Sequence, residues 1–356
     1  MRCVANTGRM SRGECSSIRA ASDVGTAVEL GAVVSQWVGR VVPHEGYMLA
    51  AVDPVTGVGC FLAREHGYSQ AAARRLIVGD RSDGDHPYPF DRRARQSRVG
   101  VFNTDAPGLR RNEAMRDVML DQGVGSELRI ALAHAGTMWG GLVLLRPRGA
   151  RPFSADESVQ AQRLARDIVA AMRRYAAAAP PEPSGLALPP GVLVIGTGGG
   201  AIAAERVVAA TPSAREWLDE LGTRPADALT TSDPPVESIV WILTQTVRTT
   251  DKPAMTRVPT KRGWIVLNAQ PLTGGTDVAV TVQPAVGTDL LPAMAFWHGL
   301  TPKERAVVEQ VLEGLAAKQI ARRLEMSPHT LNDHFKSIYR KLGVSAREEL
   351  IARLLR

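Results

Sequence analysis

Along roughly the last sixth of the chain, apolar residues recur in four sets at helical spacing. The sets are Val307, Val308, Val311, Leu312 and Leu315; Ile320, Ala321 and Leu324; Leu331, Phe335, Ile338 and Leu342; and Leu350, Ile351, Leu354 and Leu355. Each marks one buried face of a short helix. Thr301-Pro302-Lys303-Glu304 predicts a capping box, with Pro302 where no backbone donor is needed, and Gly314 lies near the end of this first helix. The second helix, 318–324, is too short to persist alone and must pack on its neighbours. Glu325-Met326 predicts a turn, Ser327 caps the third helix, Pro328 opens it, and Gly343 stands where a left-handed residue would end it. Ser345-Ala346-Arg347-Glu348 predicts a second capping box for the fourth.

The third helix has two unlike faces. Leu331, Phe335, Ile338 and Leu342 point one way, while His329, Asn332, Asp333, Lys336 and Arg340 share the other. A solvated surface is the plain reading of such a face. A tight two-helix unit with a basic outer side is also the shape that enters a DNA major groove. Residues 298–356 carry 11 Lys or Arg against 7 Asp or Glu, which favours the second reading. With Glu304, Gly314, Ile320, Ala321, Leu324, Ser327, Thr330, His334, Ile338, Lys341, Leu342 and Val344 at the pattern positions, this stretch resembles a LuxR-type helix-turn-helix. The resemblance implies double-stranded DNA as partner. By position, Asn332, Asp333 and Lys336 would face base edges, and Lys318, Ser327, Thr330 and Lys341 would approach phosphates. The family usually has a basic residue where Asn332 stands. Asp333 could accept from a cytosine amino group, cap, or face solvent.

Proline divides the remainder. AAAAPPEPSGLALPP, residues 176–190, cannot hold regular structure, and a softer boundary falls near 284–292. The expected order is an unstructured 1–20, a unit over 21–178, a linker at 179–190, a smaller unit over 191–286, a linker at 287–297, and the four-helix domain at 298–356. Residues 1–189 hold 24 basic and 19 acidic groups and 190–290 hold 8 and 10, so the middle unit is not a second polyanion surface.

In the first unit, 24–42 has helical spacing, 47–52 and 55–62 are β-rich around the turn Asp53-Pro54-Val55-Thr56-Gly57, and 128–134 and 139–145 are strand-like. Ser154 and Glu157 predict a capping box opening a helix to about Tyr175. This order, ending in MWGGLVLLRPRGARPFSADE, resembles a GAF domain, an α+β sensor fold with an antiparallel sheet. Cys60 and His66 could form a ligand pair, but an isolated buried cysteine is the plainer reading. His86, Tyr88 and Phe90 lie in a loop that could be a lid or ordinary surface.

In the middle unit, a strand at 192–195 precedes Gly196-Thr197-Gly198-Gly199-Gly200-Ala201, which formally satisfies a dinucleotide cradle. A cradle needs a full helix next, whereas 202–211 is short, partly β-branched and stopped by Pro212. A glycine-rich hairpin followed by a short helix at 213–221 accounts for the same residues. With strands at 264–269 and 278–283, the unit resembles a small α+β PAS-like domain.

The 356 residues carry a net charge of +7, consistent with an anionic partner without identifying one. Three scattered cysteines make no disulfide framework, and a cytoplasmic location is expected. There is no membrane-length apolar run and no signal-peptide core. No phosphoacceptor aspartate cluster, metal ligand set, cofactor or catalytic constellation is expected. The chain reads as a bacterial sequence-specific transcriptional regulator and not an enzyme, a homodimer whose GAF-like and PAS-like modules sense a signal or dimerise. RNA polymerase and an unknown small-molecule effector are candidate partners. The alternative is a nucleotide-binding enzyme joined to a DNA-binding domain, and it rests on residues 196–201.

Overall fold

The computed structural model describes residues 24–82, 98–105, 113–178, 188–197, 205–221, 238–260 and 263–355. The expected unstructured segment 1–20, the loop with His86, Tyr88 and Phe90, residues 179–187 of the first linker and the glycines at 198–200 lie outside these.

In the first unit, five strands form one antiparallel sheet in the order β2-β1-β5-β4-β3: β1 (Gly46–Val52), β2 (Gly59–Glu65), β3 (Arg98–Asn103), β4 (Val124–His134) and β5 (Thr137–Pro147). The second strand starts at Gly59 and not at 55, because the preceding turn uses those residues. Asp53 Oδ1 accepts from Val55 N at 2.8 Å and Thr56 N at 3.2 Å, and Gly57 takes a φ of 69°. Helices α1 (Ala27–Gly39) and α4 (Ala155–Ala178) bury Leu49, Leu128, Ile130 and Leu144 on one sheet face. Helices α2 (Gln70–Ser82) and α3 (Glu113–Asp121) pack near Phe102, Val143 and Leu145 on the other. Coverage on both sides explains why β4 and β5 are almost continuously buried, unlike a half-wet antiparallel sheet.

The predicted box opens α4: Ser154 N donates to Glu157 Oε2 at 2.8 Å and Glu157 N donates to Ser154 Oγ at 3.2 Å. Arg146 adds a charged hydrogen bond to Glu157 Oε1 at 2.8 Å and reaches Pro43 O at 2.6 Å. Burial pushes the Glu157 carboxyl up, but Arg146 and Ser154 outweigh it and hold the pKa at about 2.

The middle unit repeats the strand order. Strands β6 (Gly191–Thr197), β7 (Glu205–Ala210), β8 (Ala254–Thr260), β9 (Gly263–Pro271) and β10 (Val278–Pro284) form an antiparallel sheet in the order β7-β6-β10-β9-β8. Strand β6 pairs antiparallel with β7, and α5 (Pro212–Glu220) follows, capped by Thr211 Oγ1. A dinucleotide cradle would require a helix where β7 lies, so this topology removes the basis of the nucleotide-enzyme alternative. Helix α6 (Ser238–Thr250) packs against both β9 of this sheet and β2 of the first. Residues 287–297, expected as a linker, form helix α7 (Gly287–Trp297) with Pro292 inside it; Asp289 Oδ2 accepts from Val286 N at 3.1 Å at its start.

One side chain ties these parts together. Arg257 on β8 is almost wholly buried and places Nη1 2.6 Å from Oδ2 of the fully buried Asp53, in the β1–β2 turn. Its Nε donates to the Asp289 carbonyl on α7. Beside it, Thr256 Oγ1 donates to Gly59 O at 2.9 Å. We expect Arg257→Met to lower stability by about 3–5 kcal/mol by leaving Asp53 buried without its counter-charge, with Asp53→Asn in the same chain restoring part of it. Urea unfolding of the full chain measures both; two single losses that simply add would refute the pairing.

Candidate nucleic-acid interface

Four helices follow α7: α8 (Pro302–Leu312), α9 (Ala317–Arg323), α10 (Pro328–Leu342) and α11 (Arg347–Leu355). Their starts and stops follow the predicted chemistry at two of the four, α8 and α10. Thr301 and Glu304 form the reciprocal box on α8, Ser327 Oγ accepts from Thr330 N at 3.1 Å on α10, and Gly343 ends α10 in the left-handed region with a φ of 65°. At α11 the expected partner is off by one: the carboxylate that takes the Ser345 N–H is Glu349, at 2.6 Å, and not Glu348. Placing the helix start at Arg347 rotates Glu349 onto the cap.

Val307, Val308, Val311, Ile320, Leu331, Ile338, Leu342, Leu350 and Leu354 are buried, so each helix contributes to one small core. Phe335 and Tyr339, one turn apart on α10, stack with ring centroids 5.8 Å apart. The helical domain sits on α7, which packs on α4. Trp297 at the end of α7 stacks on Trp264 of β9 at 4.0 Å and 17°, and its carbonyl accepts from Arg173 Nε at 3.2 Å and Nη2 at 3.1 Å.

The residues expected to face bases lie together. Asn332, Asp333 and Lys336 are exposed on α10, with His329 one turn away. Asp333 is engaged within this face, Oδ2 lying 3.2 Å from His329 Nδ1 and Oδ1 lying 3.7 Å from Lys336 Nζ. Of the residues expected near phosphates, Lys318, Ser327 and Thr330 are exposed at the starts of α9 and α10. Lys341 lies apart from them. It is part-buried, and its Nζ donates to Glu304 Oε2 at 2.6 Å.

That pair went unseen in the sequence because 37 residues separate its members. Glu304 is almost wholly buried; its Oε2 also accepts from Thr301 N at 2.6 Å. Burial alone would raise its pKa, but hydrogen bonds from Lys341, Thr301 and Ser337 pull it down to about 2. His298 Nδ1 lies 3.0 Å from the Lys341 carbonyl, and Arg347 Nη2 donates to Leu315 O at 2.5 Å. The rigid base under α10 is thus polar as well as apolar. Among the described residues no group of three His, Cys, Asp or Glu could hold a metal ion, and no helix is long and apolar enough to cross a membrane. Cys60 is buried, with burial pushing its thiol pKa up, whereas His66 is exposed at the end of β2; the two do not share a site.

Residues 298–354 match the luxR family of bacterial regulatory proteins. An HTH-type transcriptional regulator of Mycobacterium bovis is 44% identical over 77 residues, which make up 21% of this chain and 9% of that one. The transcriptional regulatory protein UhpA of Escherichia coli is 44% identical over 55 residues, 15% of this chain and 28% of its own length. The spore germination protein GerE of Bacillus subtilis is 37% identical over 57 residues, 16% of this chain and 77% of its own. The chain therefore spans only about a tenth of its mycobacterial relative. Among solved structures, Escherichia coli SdiA aligns with 96% of this chain and 94% of its own at a TM-score of 0.35 and 12% identity. The GAF domain of the cyanobacteriochrome TePixJ aligns with 44% of this chain and 94% of its own at 0.30 and 16%. At these scores neither likeness decides the fold.

The folded pKa of Glu304 lies below its ordinary value of 4.5, so its contribution to stability is complete above that value and lost as pH falls toward about 2. We expect Lys341→Met to cost about 1.5–3 kcal/mol at neutral pH and to flatten the acid loss of helical stability between about pH 5 and pH 2. Circular-dichroism melts across that range check both, and a variant as acid-labile as the parent would break the assignment.

Proposed function

We infer that this chain, whose residues 298–354 form a luxR-type helix-turn-helix domain, is a sequence-specific DNA-binding transcriptional regulator and not an enzyme. The observation that carries the reading is the family match combined with a recognition helix whose outer face is exposed and whose inner face closes a self-contained core. In this reading α10 enters the major groove, Asn332, Asp333 and Lys336 meet base edges, and Lys318, Ser327 and Thr330 meet phosphates. Ser327 and Thr330, whose hydroxyls lie 2.9 Å apart, are exposed at a helix N-terminus, where the helix dipole favours an anion. Lys341 acts mainly through Glu304, holding the base of α10 in place, with phosphate contact a lesser role. Asp333 between His329 and Lys336 orients both side chains and moderates the charge of the base-reading face.

The two sheet units serve as sensor and dimerisation modules of GAF-like and PAS-like type. What supports this is their shared strand order and their contact with α7, the helix that bears the DNA-binding domain. A homodimer would present two recognition helices to half-sites about one helical turn apart. RNA polymerase is the expected protein partner and the cytoplasm the expected place. No observation on the middle unit favours a dinucleotide enzyme.

Lys336→Ala should relax base preference and cost roughly 1–3 kcal/mol on the selected site, whereas Lys318→Ala should weaken all duplexes alike and reduce the salt slope by about one unit. Selection of a site from a random duplex pool by the full chain, followed by salt titrations of both variants, tests the division. Failure to bind any duplex in a salt-sensitive manner would remove the proposed function.

A further inference from the structure

A cavity of about 570 Å³ lies between the first sheet and helix α6 of the middle unit, within the size range of small-molecule sites. Residues of β1, β2, β4, β5 and α2 form one wall and residues of α6 form the other. Most of the lining is aliphatic, aromatic or glycine, but its charged members are Arg64, Arg74 and Arg129, with no acidic residue among the lining described. Arg74 and Arg129 are themselves over nine-tenths buried.

Three further contacts define the chemistry. Arg129 is paired with the fully buried Glu127, which also accepts from the Tyr68 hydroxyl, so the charges of this pair offset each other. Arg64 Nη1 donates to Tyr68 O at 2.8 Å, which holds the strand end against this cluster. Arg74, from α2, lies over the Trp241 ring of α6 at 5.2 Å, joining the two walls. The indole N–H of Trp241 is buried and has no hydrogen-bond partner among the described residues. A buried unpaired donor in a well-packed structure calls for an acceptor.

We propose that this cavity binds a small organic anion, an apolar body with a carboxylate head, held between the two sheet units. Cationic and N–H donors facing a largely apolar space favour a negative acceptor, and the apolar wall favours a hydrocarbon body. A charge-assisted hydrogen bond from Arg74 and one from the Trp241 N–H take the carboxylate, and the Arg74 cation over the indole keeps the head at the seam. The occupant touches both units at once, so its binding favours their observed packing. The proposal rests on the sensor reading given above.

The test uses calorimetry on the full chain with 1-naphthaleneacetate, its neutral counterpart 1-naphthaleneacetamide, and inorganic phosphate. The carboxylate should bind saturably at one per chain and about tenfold more tightly than the amide, and phosphate, which lacks the apolar body, should bind more weakly still. Arg74→Met should weaken the carboxylate about tenfold without changing the amide. Should that variant fold poorly by circular dichroism, Trp241→Phe removes the indole N–H while keeping an aromatic ring, and should still lower carboxylate affinity more than amide affinity. Equal affinity for acid and amide, phosphate binding as tight as the carboxylate, or no saturable carboxylate binding overturns the proposal. Anisotropy of a labelled duplex, run alongside, separates the two readings. Duplex binding without carboxylate binding overturns the pocket alone, while carboxylate binding without duplex binding overturns the regulator and leaves the pocket supported.

Discussion

A guanidinium group buried in protein is tolerated only where its charge and its donors are met, and Arg257 is met by groups from outside its own unit. Asp53 of the first unit supplies the countercharge and the Asp289 carbonyl at the start of α7 supplies an acceptor. Separating the first sheet from the second would expose or strand both Arg257 and Asp53, a cost that apolar surface alone does not impose. The planar fork of arginine suits the role, since one side chain donates in two directions; a lysine ammonium on the same stem would lose the geometry. The position of the helical domain follows from this contact and from the neighbouring stack of Trp264 on Trp297, because α7 begins at the one and ends at the other.

The parts of the fold that could be read from the sequence are those in which local chemistry and final structure agree. In the C-terminal domain, caps, stripes and the left-handed glycine all belong to segments of a few residues, and the capping departs by the shift from Glu348 to Glu349 and by the Gln319 carboxamide that takes the Ala316 N–H at the start of α9. The strands β1, β4, β5, β6, β9 and β10 were equally legible from their apolar runs. Helix α2 was not, because the charged stretch around Arg74 and Arg75 interrupts its apolar face of Ala72, Ala73 and Leu76. Helix α6 was missed for the opposite reason: its β-branched run of Ile239, Val240, Ile242 and Val247 fits a strand by propensity, and packing against two sheets makes it a helix. Helix α7 was read as a linker because Pro292 argues against a helix interior, yet burial of Leu290, Met294 and Trp297 outweighs the missing hydrogen bond. Of the interface, the exposed face of α10 was readable by periodicity. The inward turn of Lys341 was not, because it depends on a residue two helices away.

The same device appears at two distant points. Glu157 and Glu304 each complete a helix-capping box, and each also receives a charged hydrogen bond from a residue remote in sequence, Arg146 in one case and Lys341 in the other. A cap carboxylate normally sits in water, where its hydrogen bonds are weakened. Burying it raises the cost of losing any partner, so the helix start becomes fixed relative to a second element as well as to itself. For α8 the second element is α10. The helix proposed to read DNA is thus anchored through its last turn, away from the N-terminal half where Asn332, Asp333 and Lys336 lie, which leaves the reading face unencumbered.

The cavity and the helical domain share an unbroken set of contacts, and that limits how a ligand could matter. Gly59 lines the cavity and its carbonyl accepts from Thr256; the next residue, Arg257, reaches Asp289 on α7. Contiguity does not itself establish coupling. A ligand changes the poise of the helical domain only if it binds two arrangements of the units with different affinity, and the change cannot exceed that difference. A site with walls from both units has the means to discriminate in this way, because parting them removes the Trp241 N–H and the indole under Arg74. By reciprocity, any duplex that favours the packed arrangement would tighten ligand binding by the same factor, so the two affinities, measured together, are one quantity seen from either end.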